Sequence, residues 1–395
     1  MRLQNVVDIQ EAEIMSKKNV FAMGVSTKII QGQDTEEPCL TVFVPPGTKS
    51  GGVSKADRVP SVMKVDGKIY KTDVIELEPP EPLTMVMSIG DRKRRPFMAG
   101  DEIGPKSYAQ TGTIGLIFRA RTAEIGGYRY DDYGLTNYHV LRSILLPKER
   151  FESEVILGMS VTQPAGGEVV GHVVRALSPI PDGVGDAALI RLTCPGGNPP
   201  QGTRGFYAPG STWDLQAEYM VQDAMRRYLP RGAPLLGFPH YHKNFNGLVR
   251  GERPTDQRSY YPTPAGLGVT EVGERVWKSG RTTGITRGTV RATNLIVAMY
   301  YGFGQVVMRR QILIQPDAAF DDKTTNGANG ICAAGDSGSV VIDAGNGAVG
   351  LAFSGNKVML VATPIQRILN KLFFPEELAP YDLNREGGGI YEEAV

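Results

Sequence analysis

Apolar and polar residues alternate in short runs along most of this chain, and Gly, Pro, Asn and Asp break the runs at close intervals. That pattern predicts strands. Residues 8–18 carry spaced charges that read as a short helix, followed by strand-like runs at 20–30, 39–44 and 68–77. Helix and strands together suggest a small α+β module over 1–90 with antiparallel pairing. Glu78-Pro79-Pro80-Glu81-Pro82 reads as its linker, because consecutive prolines fit neither a helix nor a ladder.

From about residue 110 the runs come one after another, at 111–120, 128–136, 155–162, 168–176 and 186–192. A second set follows at 275 onward, 287–297, 306–314, 339–342, 348–353 and 358–362. Two sets of short strands predict sandwiches or closed barrels. The division is then 1–90, a first barrel over 91–200, an irregular insertion over 201–274, a second barrel with a helix over 275–375, and a tail over 376–395. The helix is expected from Thr363-Pro364 to Phe373, with Ile365, Ile368, Leu369 and Leu372 on one face and Pro in its first turn.

Composition narrows the class without deciding it. Gly (48) and Pro (27) are abundant, which favours turns and strands over long helices. Forty-three basic against 42 acidic residues leave a charge of +1, so no nucleic-acid partner is expected. Arg92-Lys93-Arg94-Arg95 reads as a solvated loop. No run approaches membrane-spanning length and the first thirty residues hold no signal-like apolar core, so neither a membrane nor a secretory address is expected. Three widely spaced cysteines, Cys39, Cys194 and Cys332, suit a reducing, cytoplasmic setting better than a disulfide framework.

Gly335-Asp336-Ser337-Gly338-Ser339 precedes the apolar strand Val340-Val341-Ile342, and glycine beside the serine permits a tight turn that can aim backbone N–H groups at an oxyanion. Serine-based acyl transfer also needs an imidazole to move the proton and a carboxylate to orient it. Leu135-Thr136-Asn137-Tyr138-His139-Val140 places a histidine after a strand end, and Gly185-Asp186-Ala187-Ala188-Leu189-Ile190 opens a buried-looking strand on an acid. Asp182 is the alternative acid, in a Pro-Asp-Gly turn.

These three segments, in the order His, Asp, Ser, resemble the trypsin-like (chymotrypsin-fold) serine proteases. The resemblance implies a mainly β fold, a chymotrypsin-like double β-barrel, preceded here by the N-terminal α+β module and closed by a C-terminal helix. It implies Ser337 as nucleophile, His139 as general base and acid, Asp186 as its orienter, and the N–H groups of Gly335 and Ser337 as oxyanion hole. Ile331, six residues before the serine, would sit at the pocket floor, and Phe353, Ser354 and Gly355 would pass the substrate backbone. An apolar floor disfavours cleavage after Lys or Arg. Gly112-Thr113-Ile114-Gly115, the Leu-Thr-Asn-Tyr-His-Val run and Lys278-Ser279-Gly280-Arg281-Thr282-Thr283-Gly284-Ile285-Thr286-Arg287-Gly288-Thr289-Val290 look in addition like the plant Narrow leaf proteins and their microbial relatives.

Other candidates have plainer readings. His172 reads as a strand histidine, Cys332 as a buried thiol and the 278–284 run as structural, with Arg281 as a substrate carboxylate ligand the rival reading. His240 and His242 have metal-ligand spacing but no third ligand, so no metal and no cofactor is expected. Two functions stay open: an intracellular endopeptidase acting on protein or peptide substrates, and a catalytically idle two-barrel scaffold that binds a partner peptide. Small-acyl esterase chemistry shares the same residues. Access could be controlled by the N-terminal module, the insertion or assembly into a homo-oligomer.

Overall fold

The short alternating runs form two β-sheets in the computed structural model, which describes residues 2–49, 53–83, 85–86, 99–107, 109–124, 127–153, 156–193, 213–214, 266–268, 270–317, 330–345 and 347–374. The N-terminal part supplies helix α1 (Leu3–Met15) and strands β1 (Ala22–Ile30), β2 (Gln33–Val44), β3 (Val62–Val65) and β4 (Lys68–Glu76). Val6, Val7 and Ile14 lie on one face of α1 and are buried against Met23, Leu40 and Val42. The helix starts earlier than the expected 8–18 because this apolar face, not the charges after it, is what docks. Two short strands follow, β5 (Glu81–Pro82) and β6 (Met85–Val86).

The first barrel comprises β7 (Glu102–Pro105), β8 (Gln110–Thr113), β9 (Leu116–Glu124), β10 (Gly127–Thr136), β11 (Ser160–Gln163), β12 (Glu168–Leu177) and β13 (Ala187–Leu192), hydrogen-bonded in the order β9-β10-β13-β12-β11-β7-β8. The 111–120 run is two strands, since the ladder breaks at Ile114-Gly115, where the chain passes from pairing with β7 to pairing with β10. Helices α2 (Tyr138–Leu141) and α3 (Lys148–Ser153) follow β10. Ile114, Ile117, Val140, Val161, Val170 and Ile190 fill the interior. β14 (Trp213–Asp214) lies parallel beside β9.

The second barrel closes on itself. After β15 (Gly266–Leu267) come β16 (Arg275–Gly280), β17 (Gly284–Tyr301), β18 (Gly304–Pro316), β19 (Val340–Asp343), β20 (Gly347–Asn356) and β21 (Met359–Pro364). The ring runs β16-β19-β20-β21-β18-β17, and β17 pairs β16 to complete it. Helix α4 (Ile365–Leu372) then buries Ile365, Ile368, Leu369 and Leu372, the four residues its periodicity selects. They pack with Leu116, Leu135 and Leu189 of the first barrel and Val340 and Leu351 of the second. The chain therefore has the mainly β, double-barrel architecture, with α4 filling the seam. No helix among the described residues is long and apolar enough to cross a membrane.

The N-terminal strands depart from expectation. Residues 1–90 do not stand apart: β1 pairs β17 through Ala22↔Val297 and Val25↔Thr293, so the barrel sheet continues as β1-β2-β4-β3. The eighteen-residue β17 outruns its ring partner β16, and β1 covers the edge that remains. β2 and β4 pair in parallel, not antiparallel, because the β3–β4 hairpin returns the chain in the direction of β2. Residues 81–82 are not free linker either. β5 pairs β20 at Ser354↔Pro82 and Gly355↔Glu81, in the cleft between the barrels.

Candidate active site

β10 ends at Thr136, whose hydroxyl donates to the Thr113 carbonyl at 2.8 Å, and α2 begins at once with His139 in its single turn. Asn137 Nδ2 donates to the Asp186 carbonyl at 2.6 Å, and Gln110 Nε2 donates to the His139 carbonyl. The backbones carrying the imidazole and the carboxylate are thus tied to each other and to β8.

Asp186 stands just before β13. Its Oδ1 accepts the His139 backbone N–H at 3.0 Å, and its Oδ2 lies 2.5 Å from His139 Nδ1. Tyr301, at the end of β17, donates its hydroxyl to the same Oδ2 at 3.1 Å. Burial, then the Asp186 charge, hold the Tyr301 phenol well above its ordinary range, so it stays a neutral donor. A carboxylate so placed accepts a hydrogen bond from Nδ1–H, which keeps the proton on Nδ1 and leaves the Nε2 lone pair free. That lone pair faces Ser337 Oγ at 2.7 Å. The structure therefore brings His139, Asp186 and Ser337 together, while Asp182 binds the Val184 N–H in its own turn.

The serine sits in a turn that both barrels brace. Asp336 N–H donates to the Ala333 carbonyl and Ser339 N–H to the Asp336 carbonyl, each at 3.0 Å. Gly338 has φ +92 and lies so close to the Thr113 carbonyl that a Cβ would fall 2.1 Å from it, so only glycine fits. Thr113 N–H donates to the Ser337 carbonyl at 2.8 Å, and Thr113 Oγ1 donates to the Gly335 carbonyl at 2.9 Å.

Underneath, the buried Asp336 carboxylate accepts the N–H groups of Thr282, Thr283 and Ala333, the Thr283 hydroxyl, and Lys278 Nζ at 3.0 Å. The 278–284 run is thus a cradle for the residue before the serine. Arg281, the rival substrate ligand, instead pairs with Glu102 at 3.2 Å.

Gly335 N–H, an expected oxyanion donor, points at a carbonyl of the chain itself, that of Leu83, at 2.8 Å. Leu83 N–H donates to the Phe353 carbonyl at 3.2 Å, and Ser354 Oγ donates to the Glu81 carbonyl at 2.8 Å. The Leu83 side chain, 4% exposed, packs in a cluster with Ile331, Val341, Val349, Ala352 and Leu360. Ile331 therefore belongs to an apolar cluster that holds a leucine. Phe353 contributes backbone alone, since its ring packs with Phe43 and Val361 in the barrel core. Under this cover His139, Asp186 and Ser337 are all 0% exposed.

Cys332 donates its thiol to the Asn356 and Met359 carbonyls, and burial pushes it up to about 12, which makes it inert as a nucleophile. His172 meets Ser160 at 3.3 Å on the β11–β12 ribbon. His240, His242, Cys194 and the 92–95 cluster lie outside the described residues, as does the tail from 375. Sequence reading missed Tyr301, Asn137 and Lys278 as neighbours of this site. Asn137 and Lys278 stand inside motifs already singled out, but their partners lie 49 and 58 residues away, and Tyr301 meets Asp186 from 115 residues away with no motif around it.

No protein-family model matches the sequence, and no curated protein does. Among solved structures the chain is similar to a glutamic-acid-specific serine protease (19% identity, 70% of this chain and 97% of that one, TM-score 0.35). It is also similar to Cellulomonas bogoriensis chymotrypsin (19%, 69% and 94%, TM-score 0.35) and to Nocardiopsis protease (17%, 70% and 95%, TM-score 0.37). At such identities the activities of those proteins stay theirs.

Proposed function

We propose that the chain is a serine endopeptidase in which Ser337 attacks, His139 moves the proton and Asp186 orients the imidazole. One observation carries this reading: the relay Asp186–His139–Ser337 ends beside a backbone N–H, that of Gly335, already bonded to a peptide carbonyl. As Oγ bonds to that carbonyl carbon, its proton passes to Nε2 and the negative oxygen stays on the Gly335 donor. Asp186 and neutral Tyr301 stabilise the imidazolium geometry without taking the proton. The imidazolium then protonates the leaving amine, and water completes the hydrolysis.

The apolar surroundings of Ile331 favour an aliphatic residue on the acyl side of the cut bond and disfavour Lys and Arg, whose charge would be buried unpaired. Kinship with the Narrow leaf proteins is part of the proposal and rests on the motifs at 112–115, 135–140 and 278–290. The free thiols of Cys39 and Cys332 suit the cytoplasm.

The idle-scaffold reading draws on the complete burial of all three side chains. A fluorophosphonate probe separates the two. Wild type and Leu83→Asp, which removes the apolar side chain from the pocket, are expected to label, and Ser337→Ala and His139→Ala to lose it. Absence of label from both the wild type and Leu83→Asp would leave the scaffold.

A further inference from the structure

The segment over the candidate site is seated as a substrate would be, and we infer that the chain cuts itself after Leu83. This rests on the proposed endopeptidase activity and names its first substrate.

Three observations converge on Leu83. Its N–H and its carbonyl are both bonded, to Phe353 O and Gly335 N–H, so the backbone of Leu83 is held on both sides of its Cα. Phe353 O lies 3.4 Å from Ser337 Oγ as well, which puts the nucleophile and Leu83 N–H on one acceptor. Its side chain fills the apolar cluster that contains Ile331. A segment that merely crossed the cleft would need none of this register.

The residues before it fit the same role. Glu81 and Pro82 pair antiparallel to β20, with Glu81 opposite Gly355 and its carbonyl accepting from Ser354. Asn356 Nδ2 reaches the Glu78 carbonyl at 3.2 Å and so extends the contact back along the segment. Pro79, Pro80 and Pro82 stiffen the segment in an extended form, which lowers the entropy lost in holding it. Pro82, in register with Ser354, has no N–H to give, and the backbone bond to β20 is made by the next residue, Leu83 N–H to the Phe353 carbonyl. The clamp is intramolecular, so the reacting groups meet at a high effective concentration.

The reaction is hydrolysis. Ser337 Oγ bonds to the Leu83 carbonyl carbon as its proton moves to His139 Nε2. The bond from that carbon to the Thr84 nitrogen then breaks as His139 returns the proton to the nitrogen. That step frees the Thr84 amine; water, activated by the same imidazole, then attacks the Leu83–Ser337 ester, frees a Leu83 carboxylate and restores Ser337. The two pieces stay associated, because β1 remains paired with β17 across the cut.

Intact-mass measurement of the full chain tests this. The purified wild type is expected to yield fragments 1–83 and 84–395 that co-elute in native buffer and separate under denaturing conditions. The cleaved fraction should follow the same first-order course on tenfold dilution. Ser337→Ala stays whole. Leu83→Asp stays whole at this bond yet takes the fluorophosphonate label, and Thr84→Pro, which leaves the buried leucine in place, also stays whole.

A wild type that labels but remains intact would overturn self-cleavage and leave the endopeptidase reading standing. Cleavage at the same bond in Ser337→Ala would assign the cut to another enzyme and overturn the inference. Failure to label in both wild type and Leu83→Asp would remove the endopeptidase reading and the inference with it.

Discussion

Lys278 Nζ lies 3.0 Å from Asp336 Oδ2, with both side chains shut away from water, so the residue preceding the candidate nucleophile is half of a buried ion pair. One oxygen of that carboxylate binds the N–H groups of Thr282 and Thr283, and the other binds Lys278, Thr283 Oγ1 and the Ala333 N–H. Loop position and loop charge are therefore fixed from within the folded chain. Removing the cation strands a carboxylate that has no access to water. Lys278→Met is expected to cost about 3–5 kcal/mol of stability and to slow probe labelling of Ser337. A double-mutant cycle with Asp336→Asn, read by denaturant midpoints, should show strong coupling, and additive losses would refute the pairing.

Tyr301 donates to Asp186 from the opposite barrel, and Tyr301→Phe deletes only that hydroxyl. A hydrogen bond to a charged group contributes about 1.5–3 kcal/mol. If the bond strengthens as the imidazolium forms, peptide cleavage slows by roughly tenfold or more in kcat with KM unchanged. An equal rise in KM with kcat intact would place Tyr301 in substrate binding instead.

Gly115 passes so near the nucleophile turn that a Cβ would lie 1.9 Å from the Gly338 carbonyl oxygen and 2.7 Å from Val340 N. Both are backbone atoms, with little freedom to yield. Gly115→Ala should abolish probe labelling and lower the thermal midpoint by several degrees. A fully labelled Gly115→Ala chain would show that the barrels can part there without harm.

Cys332 ties the pocket to alkaline stability. The folded thiol is held near 12, whereas the unfolded one ionises near 9.0. The thiol's contribution is whole below the lower value and is lost as pH rises toward the higher one, because the unfolded chain releases its proton first. Between about pH 8 and about pH 10.5 the wild type should lose about 2 kcal/mol more than Cys332→Ala. Matching urea curves for the two would contradict this. At the lower pH, native Cys332 should resist iodoacetamide that labels the unfolded chain.

The alternation of apolar side chains determined by itself that the chain is mainly β in two strand sets, since period two admits little else. It also determined the buried face of α4, where Ile365, Ile368, Leu369 and Leu372 meet both barrels. The run lengths around Ile114-Gly115 were not legible, because a change of pairing partner that keeps Ile114 buried leaves the apolar run unbroken. The short motifs marked His139, Asp186 and Ser337 because each lies beside a strand end with a local signature.

Only the tertiary structure decided what reaches those residues. Tyr301 meets Asp186, Lys278 meets Asp336, β1 covers β17 and Leu83 meets Gly335 across long loops of chain. Such contacts depend on where the barrels leave an edge or a cleft, and no local pattern encodes that. The prolines at 79, 80 and 82 carried the clearest case. Alone they read as a linker, and the same stiffness that suits a linker lets the segment lie extended along β20 once the cleft exists.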